Sequence, residues 1–152
     1  MFDFVANIWQ DLHPIIVHFP IALLVVSFGL SLASLVKPDW LKAAWITFVI
    51  GSLATIPAAI TGIISHMPYE ESAIYETIET HQFLGFATTL IFIGLLIWRW
   101  VMLRKGKDIG NTWLFIMAMG VGVIFLTLTG GNGGNLVYEF GVNVRGINPI
   151  LP

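Results

Sequence analysis

The sequence predicts an all-α fold: an integral membrane four-helix bundle with both termini on the extracytoplasmic side. The first observation behind this prediction is composition. The chain is 57% hydrophobic and only 11% charged, with a mean hydropathy of +0.85, which is too apolar for a soluble domain of 152 residues. The second is that four long apolar runs each reach the roughly 18–20 residues that cross ~30 Å of hydrocarbon. Short polar connections separate them, so one bundle without a soluble domain is the simplest arrangement.

The predicted spans cover residues 14–36, 41–64, 79–103 and 110–130. Pro14 favours the first turn of a helix, so we expect His13 at the preceding cap position. The fourth span runs into a series of Gly and Asn residues that suit positive φ angles and so predict the end of the helix. Residues 131–152 then form a glycine-rich extracytoplasmic tail, which we expect to fold over the end of the bundle as a lid.

Charge predicts the orientation. The second connection carries four glutamates and no basic residue, whereas basic residues flank the first and third connections: Lys37, Lys42, Arg99, Arg104, Lys105 and Lys107. The positive-inside rule therefore places the first and third connections in the cytoplasm. Five tryptophans gather at the same ends, as an aromatic belt would: Trp40, Trp45, Trp98, Trp100 and Trp113. The expected location is the bacterial cytoplasmic (inner) membrane, with the histidines facing the exterior.

Several chemistries are excluded or disfavoured. The absence of cysteine removes thiolate nucleophiles, disulfides, iron–sulfur ligation and covalent c-type haem. A net charge of -2 offers no basic patch for nucleic acid. The span centres carry no ionisable residue, which argues against a transporter or proton pump. No catalytic triad or zinc-protease motif can be assembled, so no catalytic residue is predicted.

The four histidines provide the main functional signal because the topology brings all of them to one end of the bundle. His18 precedes Lys37 by 19 residues and His81 precedes Arg99 by 18, so both imidazoles are expected at nearly equal depth. Two histidines at equal depth suit a b-type haem, whose axial ligands approach the iron from opposite sides.

Small residues near these two histidines favour the same interpretation. Ala22 and Gly85 each lie four residues after a histidine and leave room for a macrocycle, although such residues are also ordinary packing positions between membrane helices. The sequence also contains a weak internal repeat, in which each helical hairpin ends with a Thr-Gly pair, at residues 61–62 and 129–130. The repeat predicts that His18 and His81 face each other.

The other two histidines have several interpretations. His13 is rotated roughly 140° from His18 on a helix, so the two are not expected to bind one small metal ion together. His13 could ligate a second haem, bond a haem propionate, or cap the helix. His66 lies beside Met67 and Pro68 in a polar connection, where a solvated surface position is favoured and a second ligand pair is its best functional use.

The leading functional hypothesis is a b-type cytochrome subunit that holds one or two haems near the extracytoplasmic face. It would exchange electrons with quinone or an extracytoplasmic redox protein within a larger complex, rather than act as a stand-alone enzyme. The alternative is a non-haem assembly or scaffold subunit, or a protein whose histidines bind copper or zinc, since imidazole suits both metals.

Three stretches also carry a family resemblance: residues 13–23 (HPIIVHFPIAL), residues 81–85 (HQFLG), and the tail with GGNLVY and GVNV. They resemble the bacterial four-helix membrane proteins of domain-of-unknown-function family 2231. The resemblance implies the four-helix membrane fold and a haem-binding or redox role, with His13, His18 and His81 at matching positions. Members often carry a histidine shortly after Leu-Val-Tyr, where this chain has Glu139 and Phe140, so no role of a tail histidine is carried over.

Overall fold

The computed structural model describes residues 8–144, with side chains from residue 12 onward. This part of the chain is helical and contains no strand, which confirms the all-α prediction. The helices are α1 (Ile8–Ile16), α2 (His18–Ser34), α3 (Trp40–His66), α4 (Tyr75–Arg104) and α5 (Trp113–Tyr138), with a 3₁₀ turn at Met67–Tyr69. Four stretches are long and apolar enough to cross a membrane: Leu12–Ser34, Trp40–Tyr69, Tyr75–Arg104 and Trp113–Tyr138.

The four long helices pack in a ring that follows chain order. Each contacts the next, and α5 closes the ring against α2, while the short helix α1 packs on α3. One half of the bundle has a solid apolar core formed by Leu24, Phe48, Phe92, Phe115 and Met119. Large apolar side chains also point outward; Leu90, for example, is 73% exposed. Such a surface suits a lipid solvent rather than water.

The first span is interrupted at Val17, the residue between α1 and α2. Pro20 has no N–H to donate to the carbonyl four residues earlier, which explains a break at this position. The expectation that Pro14 begins the helix and that His13 caps it is wrong, because α1 already runs from Ile8 to Ile16 and includes both residues. His13 therefore projects from the body of a helix that packs against α3.

The glycine-rich run does not leave the helix, contrary to the prediction. Helix α5 continues through it and ends at Tyr138, and positive φ angles occur beyond that point, at Gly141 and Asn143. Asn143 then fastens the chain to the end of the bundle. Its backbone N–H donates to the Tyr69 hydroxyl at 3.0 Å, and its side-chain amide donates to Ser65 Oγ at 2.7 Å. Of the predicted tail, residues 131–138 thus belong to α5, and residues 139–144 lie against this end of the bundle and form what we call the lid; residues 145–152 lie outside the described residues.

Arg99 marks the opposite end of the bundle. Its side chain is fully buried and forms a bidentate pair with Asp108, at 2.9 and 3.1 Å. The guanidinium also lies 4.7 Å from the centre of the Trp45 ring. This contrasts with the sequence interpretation, in which Arg99 was one of the basic residues flanking the membrane surface. Here it joins the α4–α5 connection to the core instead.

Candidate metal centre

Three histidines from three different helices meet at the lidded end of the bundle. Each of His13, His66 and His81 offers one ring nitrogen, and these nitrogens lie within 4.8 Å of one another. The ring centroids are 5.5–6.1 Å apart, and the ring planes cross at 69–81°. The imidazoles therefore meet edge to face around a common point, and we call these three residues the histidine triad.

Helix α3 positions the His13 ring. His13 Nδ1 lies 3.0 Å from the Ala58 carbonyl oxygen, to which it donates, and 3.3 Å from Thr61 Oγ1. The ring rests on Gly62, where an added Cβ would lie only 3.0 Å from His13 Cε1. Because Nδ1 donates its proton to a carbonyl, Nε2 keeps a free electron pair that can bind a metal.

Helix α5 positions the His81 ring in the same manner. His81 Nδ1 donates to the Thr129 carbonyl oxygen at 3.1 Å, and the ring rests on Gly133, where a Cβ would lie 2.9 Å from Cε1. His13 and His81 are each 48 residues from the threonine that they contact. This equal spacing relates His81 to His13, whereas the internal repeat was predicted to pair His81 with His18.

His66 has a side-chain partner instead of a backbone carbonyl. It is only 5% exposed, so the interpretation of His66 as a solvated surface residue is wrong. Gln82 Nε2 lies 3.1 Å from His66 Nδ1. An amide nitrogen only donates, so Nδ1 accepts this bond and the ring proton resides on Nε2. Rotation of the amide by 180° would present its oxygen, move the proton to Nδ1 and free Nε2 for a metal.

The triad is close to the arrangement of a three-histidine metal site. Zinc–nitrogen bonds of about 2.0–2.1 Å in a tetrahedron place the ligand nitrogens about 3.3 Å apart. To bind one ion in this geometry, the triad nitrogens, now within 4.8 Å of one another, would have to approach by up to about 1.5 Å. Three protein ligands leave the fourth position of a tetrahedral ion open, which is typical of sites where the metal binds a further ligand.

All three triad residues line a cavity of about 360 Å³ inside this half of the bundle. Its walls are mainly apolar, and the described residues that line it include no Asp, Glu, Lys or Arg. Four threonines in the wall donate their hydroxyl protons to carbonyls of their own helices: Thr55, Thr88, Thr89 and Thr129. The cavity therefore presents few free hydrogen-bond donors.

The remaining predicted site residues have different positions. His18 lines the cavity but does not belong to the triad, and its Nδ1 donates to the Pro14 carbonyl. Gly85 also lines the cavity, whereas Ala22 lies on the exposed face of α2. The close partners of His81 are thus His13 and His66; the role of His18 as an axial ligand stays a prediction.

The sequence interpretation missed the residues that support the triad. In the sequence, Gly62 is half of a Thr-Gly pair, Gly133 belongs to the Gly and Asn run that predicts the end of the helix, and no pattern assigns a role to Gln82. A signal was present in the repeat, because both His13 and His81 precede a threonine by the same distance. The pairing of His18 with His81 follows from their equal depth along the membrane normal. Depth does not reveal which side of a helix a residue occupies.

A family model described as "Predicted membrane protein (DUF2231)" matches residues 10–146, nearly the whole chain. The chain belongs to this family. The DUF2231 match spans all four apolar helices and all three triad residues, so it agrees with the membrane fold described above. No curated protein and no solved structure matches the chain.

Proposed function

We propose that this membrane protein binds one copper or zinc ion through His13, His66 and His81. The observation that carries the proposal is the convergence of three imidazole nitrogens to within 4.8 Å. Two of these rings already have the tautomer that a ligand needs, because their Nδ1 atoms bond backbone carbonyls. Rings from separate helices that converge without an acidic partner are poorly explained by packing alone.

The ligand set favours copper and zinc over the hard cations. Imidazole nitrogen suits zinc, copper, iron and nickel, whereas magnesium and calcium require oxygen ligands. The described cavity wall contains no carboxylate that could complete an oxygen site. Three neutral ligands also leave the full charge of the ion uncompensated, so the open position is suited to an anionic donor.

The proposed site lies in the membrane half that faces the exterior, because the basic connections lie at the other end of the bundle. There the bound ion would polarise or hold a ligand that enters the cavity. The protein contributes imidazoles held on three helices, a mainly apolar wall and the lid fastened by Asn143. A binding or redox subunit therefore suits the arrangement better than a closed structural metal site.

The test is metal analysis of the purified protein and of four matched variants. We expect about one copper or zinc ion per chain in the wild type. In His13→Gln, His66→Gln and His81→Gln we expect metal affinity to fall by more than about 100-fold, because losing a ligand costs more than losing a residue that only hydrogen-bonds a ligand. His18→Gln, the control, should retain the ion. Equal affinity in all four variants, or loss in His18→Gln alone, would contradict the proposal.

The second candidate is a b-type haem held by His18 and His81, exchanging electrons with quinone or an extracytoplasmic redox protein. Its support is that both residues line the same cavity together with Gly85. A haem held by His13 and His81 does not fit. The centroid of the His66 ring lies 5.8 Å from the centroid of the His13 ring and 5.5 Å from that of the His81 ring. The His66 ring is therefore almost equally far from both and occupies the space between them, where the macrocycle would have to lie.

An optical spectrum separates the two candidates. A sharp reduced α band with a positive pyridine haemochrome assay, lost in both His18→Ala and His81→Ala, would support the haem. Stoichiometric copper or zinc without iron, lost in His66→Gln and retained in His18→Ala, would support the triad. His66 is the discriminating residue because only the triad site uses it as a ligand.

A further inference from the structure

We infer that the cavity beside the histidine triad binds an amphiphile that has one acidic oxygen head and an apolar body. This inference rests on the proposed metal site, since the head would occupy the open coordination position. The cavity supplies the rest of the binding site, and the chemistry of its wall selects the class of ligand.

The wall selects an apolar body. The threonine hydroxyls that line the cavity already donate to backbone carbonyls at 2.6–2.9 Å, so they offer no proton to a polar ligand. The two amides in the wall, Gln82 and Asn143, are bonded to His66 and Ser65. Apart from the exposed Tyr138 hydroxyl, the described wall therefore offers few free donors to replace the bonds that a polar body makes to water, whereas an apolar body gains from burial.

The triad selects the head. Three neutral imidazoles leave the charge of a bound ion uncompensated, and the described wall contains no acidic side chain to balance it. A carboxylate or a phenolate supplies one negative charge and one oxygen ligand at the open position. Among the described residues the wall also contains no Lys or Arg, so none of them would pair with a head that carries further negative charge.

The volume is suited to such a molecule. At about 360 Å³ the cavity lies near the lower end of the range of small-molecule sites, roughly 300–1,000 Å³. Gly85 contributes to this space, because a Cβ at that position would have as its nearest neighbour Thr129 Cγ2 at 3.9 Å. A Cβ at residue 85 thus meets only ordinary van der Waals contact, and a larger side chain there is expected to occupy part of the cavity.

The experiment uses the full chain in lipid nanodiscs, loaded with cobalt(II) as a visible reporter of the triad. Two ligand pairs are titrated, acetate with octanoate and phenol with 4-hexylphenol, and the pairs distinguish a carboxylate head from a phenol. In at least one pair we expect the longer ligand to shift the cobalt bands at a concentration about tenfold lower than the shorter ligand requires. Burial of roughly two methylene groups gives an affinity gain of this size.

Two variants on the same helix decide whether this gain comes from the cavity. Gly85→Leu fills it and should abolish the chain-length advantage. Gly94→Leu is the matched control, because Gly94 is exposed, lies outside the cavity and has no atom within 4 Å of an added Cβ. No chain-length advantage in either pair, or an equal loss in both variants, would overturn the inference.

Failure of the metal proposal would appear separately, as the absence of cobalt bands in the wild type. The same ligand pairs are then scored by thermal stabilisation of the metal-free protein. Stabilisation that requires the longer chain and is lost only in Gly85→Leu would support the cavity as a site for an apolar body. If neither ligand pair stabilises the metal-free protein, both the inference and the proposed metal site are overturned.

Discussion

Gln82 determines which nitrogen of His66 carries the ring proton. As described, its amide nitrogen faces His66 Nδ1 at 3.1 Å, which leaves the proton on the nitrogen that a metal would need. A metal ion therefore has to displace that proton while the Gln82 amide turns its oxygen toward Nδ1. The affinity of the site depends on a residue that does not itself bind the metal.

Replacing Gln82 should change metal affinity in either direction. Gln82→Glu presents an oxygen to His66 Nδ1 permanently, so we expect copper or zinc to bind more tightly. Gln82→Leu removes the partner and should weaken binding by about 10–100-fold. Competition titration against a chelator measures both variants, and equal affinities in Gln82→Glu and Gln82→Leu would contradict the proposed role.

The histidines themselves could be predicted from the sequence, but their grouping could not. Helical spacing predicted that His13 and His18 would not bind one small metal ion together, and His18 lies outside the triad although both residues line the cavity. It could not show that α1 begins at Ile8 and turns His13 toward α3, because that depends on the break at Val17 and on packing between helices.

At the scale of helices, glycines set how closely α3 and α5 approach the imidazoles. Gly62 lies against the His13 ring and Gly133 against the His81 ring. In a soluble protein a run of Gly and Asn predicts a loop. Within a membrane bundle the same small residues permit close contact between helices, which is why α5 continues through the run.

Adding one methyl group at these glycines should therefore disturb the triad. Gly133→Ala places a Cβ 2.9 Å from His81 Cε1, so the ring must move, and we expect metal affinity to fall by about tenfold. Gly131→Ala is the control on the same helix, since nothing lies within 4 Å of its added Cβ. Isothermal titration of the two variants should separate them, and similar losses in both would argue against the ring contact.

The connection between α4 and α5 depends on the Arg99–Asp108 pair. Because Arg99 is fully buried, removing its partner leaves an unpaired charge in the core. Asp108 is 33% exposed, so water offsets part of this cost, and we expect Asp108→Ala to lower the free energy of unfolding by about 2 kcal/mol. Denaturant titration in detergent micelles measures the loss.

Asp39→Ala provides the comparison for that measurement. Asp39 is an exposed acid in the other connection at the same end of the bundle, and its side chain makes no capping bond. We expect its replacement to change stability by less than about 0.5 kcal/mol. Equal destabilisation by the two variants would show that general surface charge, and not the buried pair, is responsible.

For the whole molecule, the absence of cysteine makes the orientation directly measurable. Ala73 and Lys107 are exposed and lie in connections at opposite ends of the bundle. In intact cells we expect a membrane-impermeant maleimide to label Ala73→Cys, and to label Lys107→Cys only after lysis. The reverse pattern would place the histidine triad on the cytoplasmic side.

Most of the architecture could be predicted because lipid imposes simple requirements on length and hydropathy. Three of the predicted spans overlap one long helix each, although α4 begins earlier, at Tyr75, and α5 extends past residue 130 to Tyr138; the first is divided between α1 and α2. Apolarity alone could not reveal the cavity, since side chains that face lipid and side chains that face an internal space are equally apolar. The cavity follows from how four helices pack.

The three triad residues belong to three successive spans, and this has a consequence for biosynthesis. A chain emerging from the ribosome contains only His13 and His66 until α4 has been made, and the glycine that supports His81 comes later, in α5. A metal ion that arrived early would find an incomplete set of ligands and would exchange readily. High-affinity loading of the proposed metal would therefore follow insertion of the entire chain into the membrane.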